Sequence, residues 1–341
     1  MEEILINGIQ GVSRVLVGEK LSNIGNYIPN RGVFIITDTN VFSHQGKNFP
    51  NFPTYTIEPG EGSKSLAEVQ IVSRWLLANG ADRSSFILGI GGGVVCDLAG
   101  FVASTFMRGI DFGFVATSLL AQVDASVGGK NGVNIDGYKN IVGTFNQPKF
   151  VICDIGSLTS LPKEEFTNGL AEIVKHTLIA DGNMFSYIEA RIEKIKNLDL
   201  DIFRELVNHS VKVKAKIVGM DEREKAERKK LNLGHTWGHA VEKESGFPHG
   251  KSVSIGLEFA ARFSMHKGLL EHRDYMRIIN LLRDLELPIC SSLSPKKVFE
   301  SLTMDKKKTA NSIDFIFMLG IGDSIVERIS ISEIKRFIEK T

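Results

Sequence analysis

Residues 85–98 read SFILGIGGGVVCDL and predict a buried strand, a glycine-rich turn and the start of a helix. Ser85–Ile90 is almost wholly apolar, as expected for a strand covered on both faces of a parallel sheet. The glycines that follow would let a phosphate approach backbone amides at the positive end of a helix. The turn is not the GxGxxG dinucleotide fingerprint, because Val94 stands where the third glycine should be. Alone, it leaves nucleotide binding and simple helix–strand packing equally open.

The segments around this turn alternate between strand and helix patterns. Leu66–Asn79 has apolar residues at helical spacing and stops at Gly80. Further strands are predicted at Val33–Thr37, Thr54–Ile57, Asp111–Thr117 and Phe150–Cys153. Strands separated by helices of this length indicate an α/β domain with a Rossmann-like parallel sheet.

The strand signal fades from about Leu161, and a mostly α-helical part follows. Helices are predicted at Glu164–Ile179, Met184–Ile195, Leu200–Met220, Lys230–Ser245, Val253–His266 and Tyr275–Leu285. Two short strands, Asp314–Leu319 and Ile325–Ile329, and a last helix, Glu333–Glu339, complete the pattern. We therefore expect an α/β domain over 1–158 and a helical domain over 159–341. The basic run Arg223–Lys230 is expected to be a solvated helix face.

Length and composition fit a protein of two ordinary globular domains. The chain has 341 residues, of which 43% are hydrophobic and 24% charged, so disorder and a disulfide scaffold are excluded. The formal net charge of +1 argues against a general nucleic-acid or membrane-surface binder. The three scattered cysteines, the acidic start and the lack of a long apolar run predict a cytoplasmic protein.

Acidic and basic residues follow the predicted strands where open α/β sheets bind ligands, at the carboxyl ends. Asp38 ends the strand VFIITD, where its carboxylate could accept hydrogen bonds from ribose hydroxyls. Glu61 and Lys64 lie in the loop PGEGSK after the next strand. These positions strengthen the case for a nucleotide.

Residues 122–140 read QVDASVGGKNGVNIDGYKN and combine lysines with glycines that are expected to forbid regular structure. One interpretation is a flexible surface loop. Apolar flanks favour instead a buried loop that binds an anion, because ammonium groups and free amides donate to phosphate or carboxylate. The polar members are Asp124, Lys130, Asn134, Lys139 and Asn140.

Histidines at i and i+4 in LGHTWGH share one helix face, so His235 and His239 could both point at one centre. His249 follows beyond the expected helix end, and Glu172 lies on an earlier helix. One glutamate and two histidines would leave a zinc-like ion with an open position for substrate. An HxxxH pair alone is a weak signal, and without HExxH a zinc-protease interpretation lacks its general base.

Joined in order, these stretches resemble the 3-dehydroquinate synthase family. The family carries GGG-V-x-x-D-L-x-G-F, M/F-R-G-I, Q-V-D-x-S-V-G-G-K-T-G-V-N with a following K-N, G-x-A-E-x-x-K, N-x-G-H-T-x-G-H and H-G-E. This chain has GGGVVCDLAGF, MRGI, QVDASVGGKNGVN, YKN, GLAEIVK, NLGHTWGH and HGK in the same order. The resemblance runs from about residue 33 to the DKK at 305–307.

The resemblance implies an NAD-binding α/β domain followed by a helical metal- and substrate-binding domain, usually in a cytoplasmic homodimer. It implies a phosphate-eliminating lyase of the shikimate pathway, which leads to chorismate and the aromatic amino acids. The reaction converts 3-deoxy-D-arabino-heptulosonate 7-phosphate to 3-dehydroquinate and phosphate. NAD is transiently reduced and reoxidised, and a divalent zinc or cobalt ion assists. The implied partner is a phosphorylated sugar acid, with no nucleic acid or membrane.

Matched motif positions carry the family's site residues onto this sequence. The implied metal ligands are Glu172, His235 and His249, with His239 in the substrate site. Substrate oxygens would be held by Lys130, Asn140, Lys175, Lys214, Arg228, Asn232 and Lys306, with Arg108 and Lys139 near the phosphate. The NAD site or its edge would include Asp38, Glu61, Lys64, Gly92, Gly93, Asp97, Thr117, Ser118, Asp124, Lys130 and Lys139.

Several positions depart from the family pattern and keep other readings open. Asn131 stands where threonine is usual, Cys96 where glycine is common, Ser118 where threonine is common, and Lys251 where HGE has glutamate. The nearest alternative is another sugar phosphate cyclase, and the next is a metal-dependent polyol or glycerol-phosphate dehydrogenase on a related scaffold. A homologue that has lost catalysis is the non-enzyme alternative.

Overall fold

The computed structural model describes residues 1–9, 11–306 and 311–340, which form two compact units. The first unit contains residues 1–166 and 200–223, and the second contains 167–199 and 224–341. The chain therefore leaves the first unit, returns to it for one long helix, and leaves it again. No helix in the described ranges combines the length and apolar character needed to cross a membrane.

The strands and helices follow the predicted alternation. The strands are β1 (Glu2–Gly8), β2 (Gly11–Val17), β3 (Val33–Asp38), β4 (Thr54–Ile57), β5 (Phe86–Gly91), β6 (Asp111–Ala116), β7 (Lys130–Ile135), β8 (Tyr138–Phe145), β9 (Phe150–Cys153), β10 (Ser312–Gly320) and β11 (Asp323–Ser330). The helices are α1 (Thr39–Gln45), α2 (Leu66–Ala78), α3 (Gly93–Thr105), α4 (Lys163–Ala180), α5 (Gly182–Glu189), α6 (Ile192–Lys196), α7 (Leu200–Met220), α8 (His235–Ser245), α9 (His249–His266), α10 (His272–Asp284), α11 (Pro295–Lys306) and α12 (Ile331–Lys340).

A seven-stranded sheet of order β1-β2-β9-β6-β5-β3-β4 organises the first unit. All neighbouring strands are parallel except the antiparallel edge pair β1 and β2. Its central residues, among them Ile35, Leu88 and Val115, are fully buried. This sheet confirms the predicted α/β class of the N-terminal part. The helix-rich remainder of the chain confirms the prediction that a mostly α-helical part follows.

The strand order reverses beside β3, because β4 lies on one side of it and β5 on the other. Such a switch point opens a crevice at the carboxyl ends of the strands, where open α/β sheets bind ligands. Asp38 ends β3, and the glycines 91–93 end β5 and begin α3. The fold therefore brings the two sequence signals for a nucleotide to adjacent strand ends.

The prediction that residues 122–140 lack regular structure is wrong. Ala121–Ala125 forms a π-helical turn, and β7 and β8 form an antiparallel hairpin. Asp136 and Gly137 both have positive φ, as a two-residue hairpin turn of type I′ requires. The dipeptide Asp-Gly is a hairpin signal in its own right. The opening hairpin of β1 and β2 was also not predicted.

Three expectations for the helical half need correction. The basic run Arg223–Lys230 is not a solvated helix face, because it forms turns and a 3₁₀ segment in which Arg228 is buried. The helix predicted over Lys230–Ser245 begins only at His235, because Gly234 has a left-handed conformation. The segment Met184–Ile195 is divided between α5 and α6.

Asn131, one of the departures from the family pattern, has a structural position. Its buried amide donates to the backbone oxygens of Gly129 at 3.0 Å and Asn146 at 2.9 Å. It packs against α3 at Gly100, where an added Cβ would lie 2.0 Å from the Asn131 Oδ1. The two hydrogen bonds thus join the ends of the hairpin, and the same amide contacts α3 at a position where only glycine leaves room for it.

This packing predicts a non-additive pair of substitutions. We expect Gly100→Ala and Asn131→Ala each to lower the free energy of unfolding by about 1–3 kcal/mol, the first by steric overlap and the second by removing two hydrogen bonds. The double variant should be more stable than the sum predicts, because Asn131→Ala removes the overlap. Urea denaturation measures all three.

Gly219→Ala on α7 is the control, because an added Cβ there meets no atom within 4 Å. It should not destabilise the protein. Strict additivity of the double variant would contradict the packing argument.

Candidate active site

Glu172, His235 and His249 bring three metal-ligating groups to one point in the second unit. Glu172 Oε1 lies 3.6 Å from His235 Nε2 and 3.5 Å from His249 Nε2. The three donor atoms all lie within 4.8 Å of one another, and Glu172 is fully buried. Two imidazole nitrogens and one carboxylate are the donors of a catalytic zinc-type site, which leaves one position open.

Hydrogen bonds at the far side of each imidazole orient both histidines. His235 Nδ1 lies 3.1 Å from the Leu233 carbonyl oxygen, and His249 Nδ1 lies 3.2 Å from Glu242 Oε2. Each Nδ1 contacts its oxygen, so the Nε2 of each ring faces Glu172. Metal-binding histidines are oriented in this way by carbonyl and carboxylate partners. The residues present therefore fit a divalent ion.

Close helix packing at glycines creates this geometry. An added Cβ on Gly238 would lie 2.8 Å from the Ser252 carbonyl oxygen, and one on Gly256 would lie 1.8 Å from the Gly234 carbonyl oxygen. The helices α8 and α9 therefore meet backbone to backbone. Gly250 packs equally closely on Asn168, whose Oδ1 accepts its N–H at 3.2 Å. These contacts place the first residues of α8 and α9 beside α4, which carries Glu172.

The local charges favour a cation at this point. Burial lowers the pKa of His235 well below its usual value, and the Lys175 ammonium adds to that effect, so this imidazole is neutral as a ligand must be. Burial also opposes protonation of His249, but hydrogen bonds with Glu172 and Glu242 outweigh it and raise its pKa to about 9. Buried Lys175 forms an ion pair with Glu172 on the same helix.

His239 lies beside the three proposed ligands but is exposed. Its ring centroid is 5.1 Å from that of His235 and 6.0 Å from that of His249. A second possible donor group consists of His239, Glu242 and His249. Both groups contain a buried carboxylate, but the Glu172 group has the buried His235 where the second group has the exposed His239.

In the first unit, the predicted cofactor residues surround the switch point. Asp38 caps α1, with its Oδ1 accepting the Val41 N–H at 2.9 Å. Buried Lys64 forms an ion pair with Asp97 of α3. Burial raises the pKa of the Asp97 carboxyl, and Lys64 opposes that shift. Glu61 accepts a hydrogen bond from Asn134 at 2.8 Å.

Glycines and hydroxyls complete the ends of β5 and β6. Gly92 precedes the first turn of α3, and an added Cβ on it would lie 3.3 Å from Ser118 Oγ. The Thr117 N–H donates to the Gly91 carbonyl oxygen at 2.9 Å. An added Cβ on Gly93 would lie 3.1 Å from the Cβ of Ala125. Any side chain here would narrow the approach to the amides of α3.

A π-helical turn joins the cofactor residues to α7. The Lys214 ammonium donates to Asp124 twice, to Oδ1 at 2.7 Å and to the backbone oxygen at 2.5 Å. A π turn widens the helix so that both oxygens of one residue face the same donor. Asp124 thus fixes the direction of a buried lysine ammonium.

The remaining predicted ligands differ in exposure. Lys130, Lys139 and Asn140 are exposed on the hairpin, and Arg108 is exposed in a stretch where Met107 and Arg108 both have positive φ. Arg228 is buried, and Asn232 donates to Glu224 Oε1. Lys306 is the last residue of α11, and its side chain lies outside the described part of the chain.

Sequence reasoning missed Glu242 and Asn168. Glu242 follows His235 by seven residues and His239 by three, so the helical repeat puts it on the same face of α8. That spacing was a usable signal. Asn168 precedes Glu172 by four residues on α4, but its contact with Gly250 depends on tertiary packing that no local pattern indicates.

Together these features define a class of protein: a parallel α/β unit with a ligand crevice at its switch point, and a helical unit with a candidate Glu-His-His metal site. Residues 54–168 match the 3-dehydroquinate synthase N-terminal model, and residues 169–308 match the 3-dehydroquinate synthase C-terminal model. The chain belongs to the 3-dehydroquinate synthase family.

Individual relatives agree with this assignment. The chain is 38% identical over 334 residues to 3-dehydroquinate synthase of Thermoanaerobacter pseudethanolicus, covering 94% of each chain. It is 43% identical over 279 residues to that of Citrifermentans bemidjiense, covering 81% of this chain and 77% of the relative. A solved structure of 2-deoxy-scyllo-inosose synthase with carbaglucose-6-phosphate, NAD⁺ and Co²⁺ matches with a TM-score of 0.86 at 25% identity, covering 99% and 100% of the chains.

The geometry predicts different effects for the two histidines of α8. We expect His235→Ala and His249→Ala to lose bound metal, because each removes one of three ligands. His239→Ala should keep the metal and lower the rate of the catalysed reaction about a hundredfold, as the loss of a proton-transfer group does. Metal analysis of the purified variants decides between them. Equal metal loss in His239→Ala and His235→Ala would contradict the three-ligand assignment, and metal loss in His239→Ala alone would point to the other donor group.

The Glu242–His249 contact predicts an effect on metal affinity from a residue that is not a proposed ligand. Glu242→Gln keeps the shape and an acceptor oxygen but removes the charge that orients and polarises His249. We expect the affinity for Zn²⁺ or Co²⁺ to fall by about 10–100-fold. Glu244→Gln is the control, because Glu244 pairs with Lys297 at 3.4 Å instead. Equal affinities of the two variants would contradict the orienting role.

Proposed function

We propose that this chain is a 3-dehydroquinate synthase, a phosphate-eliminating lyase that converts 3-deoxy-D-arabino-heptulosonate 7-phosphate to 3-dehydroquinate and phosphate. The observation that carries the proposal is the geometry at the buried Glu172, whose Oε1 lies 3.5–3.6 Å from Nε2 of His235 and of His249. A hydrogen bond at Nδ1 orients each histidine ring. Curated relatives with this activity, similar over most of their length, support it.

We propose NAD and one divalent metal ion as cofactors. The residues at the switch point would hold NAD, which would supply reversible hydride exchange with the carbon that carries a substrate hydroxyl. A metal held by Glu172, His235 and His249 would act as a Lewis acid toward neighbouring substrate oxygens. The related cyclase structure that contains NAD⁺ and Co²⁺ supports both assignments.

The chain's own residues supply charge and position. Lys130, Lys139 and Arg108 donate to the phosphate, which lowers the cost of its departure as an anion. Lys175, Lys214, Arg228, Asn232 and Asn140 hold the carboxylate and hydroxyl oxygens in place, with Lys306 in the same role. Asp124 directs the Lys214 ammonium, since it accepts two of its hydrogen bonds.

His239 is the one proposed site imidazole that is exposed, and we assign it hydrogen bonding to a substrate hydroxyl. An imidazole there can also accept a proton at Nε2 or Nδ1 when that hydroxyl is oxidised. The elimination needs a base as well, and the departing phosphate can take that proton itself. The homodimer and the cytoplasmic location remain predictions from the family resemblance.

The proposal predicts phosphate release without net reduction of NAD. Purified protein with the heptulosonate phosphate, a divalent metal and substoichiometric NAD should release many equivalents of phosphate per NAD. The hydride returns within each turnover, so absorbance at the NADH band should not accumulate. Omitting NAD or adding a chelator should abolish release.

Stoichiometric NADH accumulation would assign the chain to the dehydrogenase alternative. Phosphate release from a different sugar phosphate only, with none from the heptulosonate phosphate, would assign it to another cyclase. No turnover with any of these substrates would support the non-catalytic homologue.

A further inference from the structure

The hairpin of β7 and β8 contains an irregularity at the residues proposed to bind substrate. Val133 pairs with Val142 and Ile135 pairs with Tyr138, so the single residue Asn134 faces residues 139–141 of β8. The surplus residues form a bulge that turns Lys139 and Asn140 out of the regular ladder. Bulges of this kind commonly redirect side chains beside functional sites.

Asn134 fills the position that the bulge leaves open in the ladder. Its side-chain Oδ1 accepts the Asn140 N–H at 2.9 Å, replacing a backbone acceptor. Asn140 has a φ of 53°, a left-handed conformation that asparagine tolerates better than most residues. The hydrogen bond from its N–H therefore holds an otherwise uncommon conformation.

The other half of the Asn134 amide faces the loop 58–65, which follows β4. Its Nδ2 donates to Glu61 Oε2 at 2.8 Å, and its backbone N–H donates to the Lys64 carbonyl oxygen at 2.8 Å. Ser65 and Asn134 form an isolated parallel bridge. Glu61 and Lys64 are both proposed cofactor residues, and Lys64 also pairs with Asp97 of α3. Asn134 therefore contacts the proposed cofactor residues directly.

We propose that Asn134 is a positioning residue that couples the cofactor-side loop 58–65 to the substrate-side bulge at Lys139 and Asn140. The inference rests on the proposed function for the names of the two ligands, but the coupling itself is a property of the ligand-free chain. Asn134 binds neither ligand. It sets the conformation of residues that do.

Only a short side chain with one acceptor and one donor satisfies both neighbours. Aspartate has the same shape and keeps the acceptor for Asn140, but it loses the donor and places a second carboxylate against Glu61. A glutamine at position 61 would supply a donor to that carboxylate. The pair Asn134→Asp and Glu61→Gln therefore reverses the direction of one hydrogen bond without changing its partners.

The experiment compares the full-length wild type with Asn134→Asp, Glu61→Gln and the double variant. Hydrogen exchange of the backbone amides at 138–142, without added ligands, reports the bulge directly. Phosphate release with NAD and Co²⁺ gives KM for the heptulosonate phosphate. We expect Asn134→Asp to accelerate exchange and raise KM at least tenfold, and the double variant to recover to within threefold of Glu61→Gln.

Two further variants separate coupling from loss of stability. Asn146→Asp changes an asparagine after the same hairpin that donates to Ser104 of α3 and not to the 58–65 loop, so it should leave both readouts within twofold. Glu61→Ala changes an exposed residue, so the protein should fold even if Asn134→Asp does not. Removing the acceptor should accelerate exchange at 138–142 at least threefold, although Glu61 lies in a different element.

Unchanged exchange at 138–142 in Glu61→Ala would overturn the proposal. A double variant no better than Asn134→Asp would do the same, because simple destabilisation is not rescued by a second change. If the wild type releases no phosphate, the proposed function fails, and the exchange measurements still decide the coupling.

Discussion

The burial of one carboxylate constrains the second unit more than any other single feature. Glu172 has no exposed surface, and an ionised carboxylate removed from water costs several kcal/mol unless positive charge and hydrogen-bond donors surround it. Lys175 supplies one charge from the same helix, and His249 is held as a cation between Glu172 and Glu242. A divalent ion satisfies the same requirement with geometry as well as charge. The packing of α8 and α9 against α4 follows from the need to bring these groups to one carboxylate.

That packing also explains why glycines are frequent between the proposed ligands. Gly238 lies between His235 and His239, and its missing side chain is what lets α9 approach. A pair of histidines on one helix is common. Here a glycine between the two histidines also packs against a second helix, α9, and so fixes the position of the pair. The histidines proposed for the site and the glycine of the helix contact are therefore different residues of the same short segment.

Much of this arrangement could be predicted from the sequence, and the limits have physical causes. The buried run of β5 and the stop at Gly80 are local signals, so the five predicted strands of the sheet lie within one residue of the expected positions, whereas the edge strands β1 and β2 were not predicted. The return of α7 to the first unit is a tertiary event, and nothing within Leu200–Met220 indicates which unit covers its apolar face. The glycines of 122–140 were read as breakers, whereas Gly137 with Asp136 supplies the positive φ that a tight hairpin turn needs.

The site residues also divide into those that the sequence indicates and those that only tertiary structure reveals. Glu172, His235 and His249 could be proposed as ligands from the sequence because ligand chemistry restricts residue type and the family motifs give their positions. Asn134 has no such restriction, and only its partners in the structure distinguish it from the other asparagines nearby. Its role emerges only from the register, where one residue of β7 faces the surplus of β8.

Asn131 shows the converse, that a departure at a motif position need not concern the substrate. Its amide is buried and bonded to two backbone oxygens at the ends of the hairpin, so its side chain is committed to holding the hairpin and packing on α3. The glycine at position 100 is the condition for that contact. The departure at position 131 therefore concerns the packing of the hairpin, and the proposed role of the exposed Lys130 beside it in binding phosphate does not depend on it.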